Sequence, residues 1–300
     1  MDRPGPGRSV GMYLALVVAW GLNYLFVHAG LAYSPPLWLA AGRSTIGAVG
    51  VGVLLLLSRR PPAGLGWTGR RDALLLGLPN TAMFFGLWFV AAGSVLPGEA
   101  AVVVYTFPLW VALLSPTVLG YRLGSIPAMA VVAGFGGIVL VTEPWSGATS
   151  LPPIAAVLEL LGGAVSWAVG TVLFQRRFRP AEMQEANFYQ LLGGSAGLLA
   201  ASALLSPVPA TPGLPLVAIL LWLGLVGTAA SYSIWFYLLA RTPAARLSSY
   251  VFLVPIVALA ASVLLVGERL EAVQVVGVAT VVASIYVAGR RAASPPGPAR

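Results

Sequence analysis

Ten apolar stretches of about twenty residues each run almost end to end through this chain. No other feature limits its fold as much. They fall at approximately 9–31, 36–58, 72–94, 98–119, 125–142, 152–174, 185–205, 215–239, 243–266 and 270–289. A bilayer core of about 30 Å is crossed by a helix of that length. The breaks between them carry turn chemistry, as in Ser34-Pro35-Pro36, Pro61-Pro62-Ala63-Gly64, Leu96-Pro97-Gly98 and the Pro-rich stretch 206–215.

Only 9% of the residues are charged and 58% are hydrophobic. A soluble domain carries about 25% charged residues, so this chain lacks the means to cover a water-facing surface. A barrel is excluded because its strands alternate at period two. The expected fold is an all-α polytopic membrane protein of ten transmembrane helices, with the lipid bilayer as its solvent. Cysteine is absent, which rules out disulfides and thiolate metal sites. No metal or cofactor is expected, since neither a ligand cluster nor a phosphate-binding loop occurs. The net charge of +8 does not point to nucleic acid, because its seventeen basic residues, all Arg, sit mostly at span ends.

With the N-terminus placed in the cytoplasm, fifteen Arg fall on the inner side. Arg269 alone lies in an outer loop, and Arg43 alone lies within a span. That asymmetry follows the positive-inside rule and puts both termini in the cytoplasm. The expected organisation is a head at 1–8, a first five-helix repeat at 9–142 and a periplasmic connection at 143–151. A second repeat at 152–289 and a disordered tail at 290–300 follow.

The two repeats are visible directly. At an offset of 147, Trp20 falls on Trp167, Gly47 on Gly194, Thr81-Ala82 on Thr228-Ala229 and Trp88-Phe89 on Trp235-Phe236. Pro108 falls on Pro255 and Arg122-Leu123 on Arg269-Leu270. Five helices is an odd number, so the second copy enters the membrane inverted. Inverted repeats can exchange conformations and expose a midplane site to each side in turn.

Several pieces resemble the drug/metabolite transporter superfamily, in particular its ten-helix EamA-type members. They are Ala19-Trp20-Gly21, Ser166-Trp167-Ala168, Leu39-Ala40-Ala41-Gly42-Arg43, Tyr105-Thr106-Phe107-Pro108-Leu109 and Gly267-Glu268-Arg269-Leu270. The resemblance covers residues 9–289. Tyr121 departs from it, standing where the family pattern favours Glu, which puts in doubt a role for that Glu in the first half. The resemblance implies a bacterial inner-membrane exporter, similar to amino-acid exporters including aromatic ones.

Four helices carry polar and aromatic residues at the spacing of one face. They are Trp20, Asn23, Tyr24 and His28 in the first, and Asn80, Phe84 and Trp88 in the third. The sixth has Glu159, Ser166, Trp167 and Thr171, and the eighth has Thr228, Ser231, Tyr232 and Trp235. A helix facing a cavity has reason to gather such residues at mid-depth, because polar groups in hydrocarbon cost several kcal/mol. The plainer reading is that small residues serve helix packing and Trp and Tyr an interfacial belt. Tyr105 and Tyr250, near the paired prolines, complete the expected substrate set. Pro108 and Pro255 should bend the fourth and ninth spans and serve as hinges or as static kinks.

Three ionisable residues fall within spans: Arg43, Glu159 and His28. Such groups are costly in a membrane and mark function by default. Arg43 would bind a substrate carboxylate, neutralise Glu159 or cap carbonyls. Glu159 would carry a coupling proton or bind a substrate ammonium. His28 is read as a partly wetted outer residue able to handle protons.

These features favour a secondary carrier exporting small amphipathic metabolites, amino acids foremost, over a multidrug or organic-cation exporter of the same fold. A channel or scaffold is a further alternative. An intramembrane enzyme is remote: Gly193-Gly194-Ser195-Ala196-Gly197 matches a hydrolase pattern but lies within a helix, and His28 is the sole histidine. One copy of ten helices around one site suffices, whatever the oligomeric state.

Overall fold

A computed structural model describes residues 6–58, 64–120, 124–142, 153–206, 213–249, 251 and 253–291. Among the described residues every regular element is helical, as lipid demands of a chain that must satisfy its own backbone. The spans follow in order as Pro6–Gly30, Pro36–Leu57, Trp67–Ala91, Pro97–Leu119, Ser125–Thr142, Ile154–Arg177, Met183–Leu205 and Leu214–Leu239. The ninth is divided into Ala244–Ser249 and Val254–Leu265, and the tenth is Ala272–Arg291. Seven of these helices are long and apolar enough to cross a membrane by themselves, and three apolar ones are shorter.

The third helix begins at Trp67, a turn before the apolar stretch that marks it in the sequence. Arg70, Arg71 and Asp72 extend it as a polar first turn, with Arg70 3.9 Å from Glu185. The final helix likewise runs to Arg291, into the segment expected to be a disordered tail. The connection 143–151, Tyr121 and the rest of that tail lie outside the described residues.

The inverted repeat reappears as paired contacts. Gly47 packs so closely on Thr228 that a methyl there would collide with it, and Gly194 packs on Thr81 in the same way. Adding 147 to the first glycine and subtracting it from the first threonine turns one contact into the other. Gly137 against Val281 and Ser284 against Gly134 form a second such pair, where the fifth and tenth spans meet. Trp20 meets its own counterpart, Trp167, edge to face at 6.3 Å. A residue can touch its repeat mate only near the pseudo-twofold axis, so these two tryptophans mark it.

Two irregularities share this symmetry. The third and eighth spans each widen into a π-helical segment, Leu78–Met83 and Trp222–Ala230. Such wide turns free carbonyls from the helical ladder and occur often at functional sites. The fourth span breaks at Tyr105 and Thr106, and Pro108 sits in the first turn of its second part, Phe107–Leu119. Pro255 holds the same place in Val254–Leu265. Proline lacks the N–H that a first turn leaves unused, so the expected bend takes the form of a break and restart. Thr106 Oγ1 donates to the Val103 carbonyl at 2.7 Å and helps close the gap.

Candidate functional site

Four tryptophans face inward. Trp20, Trp88, Trp167 and Trp235 are all buried, and with Tyr24, Phe84, Tyr105, Phe107 and Tyr232 they form one aromatic mass around the axis. Tyr24 lies 4.5 Å from Trp88 between ring centroids, Phe84 5.1 Å from Trp167, and Trp167 5.1 Å from Tyr232. Each such pair is worth about 0.5–1.5 kcal/mol beyond its burial. Within the mass is a central cavity of about 20 Å³, lined by Trp20, Asn23, Tyr24, Arg43, Trp88 and Tyr105 among others. That volume holds about one water molecule. The conformation is contracted, and the surrounding helices must separate to admit anything larger.

Arg43 is the charge at this cavity, 1% exposed. Its Nε donates to Thr228 Oγ1 at 2.9 Å and its Nη2 to the Gly227 carbonyl at 3.1 Å, both in the π-helical segment of the opposite repeat. The Asn23 carboxamide, turned to satisfy its neighbours, accepts from Arg43 Nη2 at 3.1 Å and donates to the Ala19 carbonyl at 3.2 Å. The guanidinium lies 4.2 Å from the Phe85 ring centroid and 5.2 Å from that of Trp88, within cation–π range. Nη1 has no hydrogen-bond partner, and among the described residues no carboxylate pairs with Arg43. A buried charge in membrane without a counter-ion is costly, so its remaining donor is available to an incoming anion.

Among the described residues Arg43 and Glu159 form no ion pair. Glu159 lies half-buried within two turns of the start of the sixth span, beside its buried stripe, and Arg43 is engaged elsewhere. Arg43 reaches one backbone carbonyl, that of Gly227. His28 is exposed near the end of its span, away from the cavity. Ser166 donates to the Pro79 carbonyl at 2.8 Å and Ser231 to that of Val226 at 2.6 Å. These hydroxyls serve carbonyls loosened by the π-helical turns. Asn80 and Thr171 are buried but do not line the present cavity. Tyr250 lies outside the described residues.

Sequence reasoning missed Gln190 and did not count Thr81 or Thr228 as binding residues. Gln190 is fully buried and accepts from Thr81 Oγ1 at 3.0 Å. It stands 147 residues after Arg43, so the repeat offset could have found it.

The sequence matches the EamA-like transporter family over residues 8–143 and again over 154–290, one match to each five-helix half. The chain belongs to the EamA-like transporter family. It is 28% identical over 284 residues to the uncharacterized transporter YvbV of Bacillus subtilis (strain 168), covering 93% of this chain and 91% of that one. It is 29% identical over 287 residues to a protein of Escherichia coli (strain K12) named a probable amino-acid metabolite efflux pump, covering 91% and 92%. A crystal structure sharing 21% identity superposes with a TM-score of 0.69 over 95% of this chain and 98% of the other, which supports the fold. The EamA assignment makes this chain a multi-pass membrane transporter with two five-helix repeats.

Proposed function

We propose that this EamA-type transporter is a secondary carrier that exports amino acids or similar small amphipathic carboxylates across the inner membrane. The observation that carries this reading is Arg43: a buried guanidinium beside an aromatic cavity, with one donor unpartnered and no carboxylate paired with it among the described residues. A carboxylate cargo would supply the missing acceptor through a charge-assisted bond. The aromatic walls suit an apolar side chain. An organic cation would meet the same guanidinium at close range, which argues against the multidrug alternative.

In this reading both termini are cytoplasmic, the two repeats rock about the Trp20–Trp167 axis, and the breaks at Pro108 and Pro255 act as hinges. Asn23, Tyr24, Phe84, Trp88, Tyr105 and Tyr232 shape the walls that the cargo meets, and Trp235 packs behind them on Trp20 and Trp167. The name of the Escherichia coli relative agrees with the substrate class. Glu159, half-buried and near the start of its span, is the acid that a coupling proton would use.

The test is counterflow in proteoliposomes with an amino-acid panel, with and without a pH gradient. Preloaded unlabelled phenylalanine should accelerate uptake of labelled phenylalanine, and Glu159→Gln should remove the response to the gradient. Uptake that ignores preloading indicates a pore and ends the carrier reading.

A further inference from the structure

The two faces of the protein are fastened differently. On the face where the first span begins and the tenth ends, the sixth span is tied to the turn between the eighth and ninth. Gln175 Nε2 donates to the Leu239 and Thr242 carbonyls at 3.2 and 2.9 Å, and its Oε1 accepts from the Ala244 N–H at 2.8 Å. Between this clamp and the cavity, Phe174 packs on Phe236 at 4.3 Å between ring centroids. Tyr232, which lines the cavity, lies 6.1 Å from Phe236 in turn. Rings therefore fill the seam between the sixth and eighth spans from the cavity to the clamp. At the same face Arg177 pairs with Asp72 of the third span.

The repeat offset of 147 identifies the residues at the same places on the opposite face. Gln175 corresponds to His28, and Phe174 to Val27. Leu239, Thr242 and Ala244 correspond to Ala92, Val95 and Pro97. His28 is exposed, and among the described residues no hydrogen bond joins it to the turn 92–97. Pro97 has no N–H, so the bond that Ala244 makes has no counterpart there. The Asp72–Arg177 ion pair maps onto Ile219 and Gly30, which pack together as an apolar contact. Phe26, stacked on Trp222 at 4.7 Å, also joins the first and eighth spans on this face. Apolar contacts between helices in a bilayer exchange for lipid tails and leave nothing unpaired. Parting the seam at Gln175 gives up three hydrogen bonds and frees an ion pair.

We propose that Gln175 is a positioning residue for transport: it latches the gate on the chain-end face of the empty carrier, so that the cavity opens more readily to the opposite face. In the topology proposed above the latched face is cytoplasmic, and cargo entering from that side displaces the latch. The inference rests on the carrier reading and concerns one central site reached from two sides.

The chain has no cysteine, so a single one reports access without background. Val104 lines the cavity, and Val104→Cys is reconstituted as the full chain in sealed proteoliposomes of either orientation. Methanethiosulfonate ethylsulfonate, which does not cross the membrane, is added outside. Without cargo, labelling from the face away from the chain ends should run about tenfold faster than from the chain-end face, as three hydrogen bonds on one gate would produce. Adding Gln175→Leu should raise the chain-end rate about fivefold or more and lower the other. His28→Leu, the same change at the repeat-equivalent position, should leave both rates within about twofold, since no bond is lost. Where Gln175→Leu fails to insert, Asp72→Asn should move the rates in the same direction. Equal rates from the two faces with Gln175 intact, or rates unmoved by these variants, overturn the latch. A shift from His28→Leu as large as that from Gln175→Leu overturns it too, reducing the effect to loosened packing. Those failures leave the carrier reading standing, whereas labelling from neither face removes that reading and the latch together.

Discussion

Arg43 Nε donates to Thr228 Oγ1 at 2.9 Å, tying the second span of one repeat to the π-helical segment in the eighth span of the other. The bond crosses between the two bodies that a carrier must move against each other. It also fixes the guanidinium against the aromatic wall, with Nη1 unused. Under the proposed function, recognition and the grip between the repeats are combined in one side chain.

Arg43→Gln should lower counterflow of phenylalanine by about 10- to 100-fold, the loss of one or two charge-assisted hydrogen bonds at about 1.5–3 kcal/mol. The melting temperature should hold or rise, because a buried charge without a counter-ion is removed. Unchanged counterflow in the folded variant would end the carboxylate assignment.

Gly194→Ala drives a methyl into Thr81 and should destabilise the protein by about 1–3 kcal/mol through overpacking. Gly136→Ala is the control, since its methyl would enter open space. There the better helix propensity of Ala should leave stability equal or up to about 1 kcal/mol higher. Thermal denaturation of both in detergent gives the comparison.

Trp167 touches Trp20, Phe84, Phe107, Tyr232 and Trp235. Trp167→Ala should cost about 3–5 kcal/mol by leaving a cavity at the axis. Trp167→Phe should fold and raise the KM for aromatic cargo several-fold more than that for leucine. Equal KM changes for the two would remove this ring from the recognition surface.

Glu268 Oε2 accepts from the Gly98 N–H at 3.0 Å and closes the start of the fourth span with a group from the opposite repeat. Glu268→Ala should speed hydrogen exchange at Gly98 and the next turn and cost about 1–3 kcal/mol. Glu268→Gln keeps an acceptor and should restore most of the protection.

The ten spans and their inversion were legible because hydropathy and a constant offset survive any detail of packing. Trp20 and Trp167 carried that signal, being too rare to coincide by chance among Leu, Val and Ala. The polar groups within the helices were harder to read. Charge drew attention to Glu159, yet it lies near a helix start beside the buried stripe, where a carboxylate is cheaper to keep. Gln190 went unnoticed because an uncharged amide stands out less against a hydrophobic run, although it sits where the offset sends Arg43. The π-helical segments left no trace in the sequence pattern: widening a turn by one residue rotates side chains without changing hydropathy. That rotation brings Thr228 within reach of both Arg43 and the Leu223 carbonyl.

A membrane that stores energy as ion gradients tolerates no standing hole. In this conformation the interlocked indole and phenol rings fill the centre of the protein to within the size of a water molecule. Under the proposed carrier reading, a copy in this conformation is plugged and passes no ions.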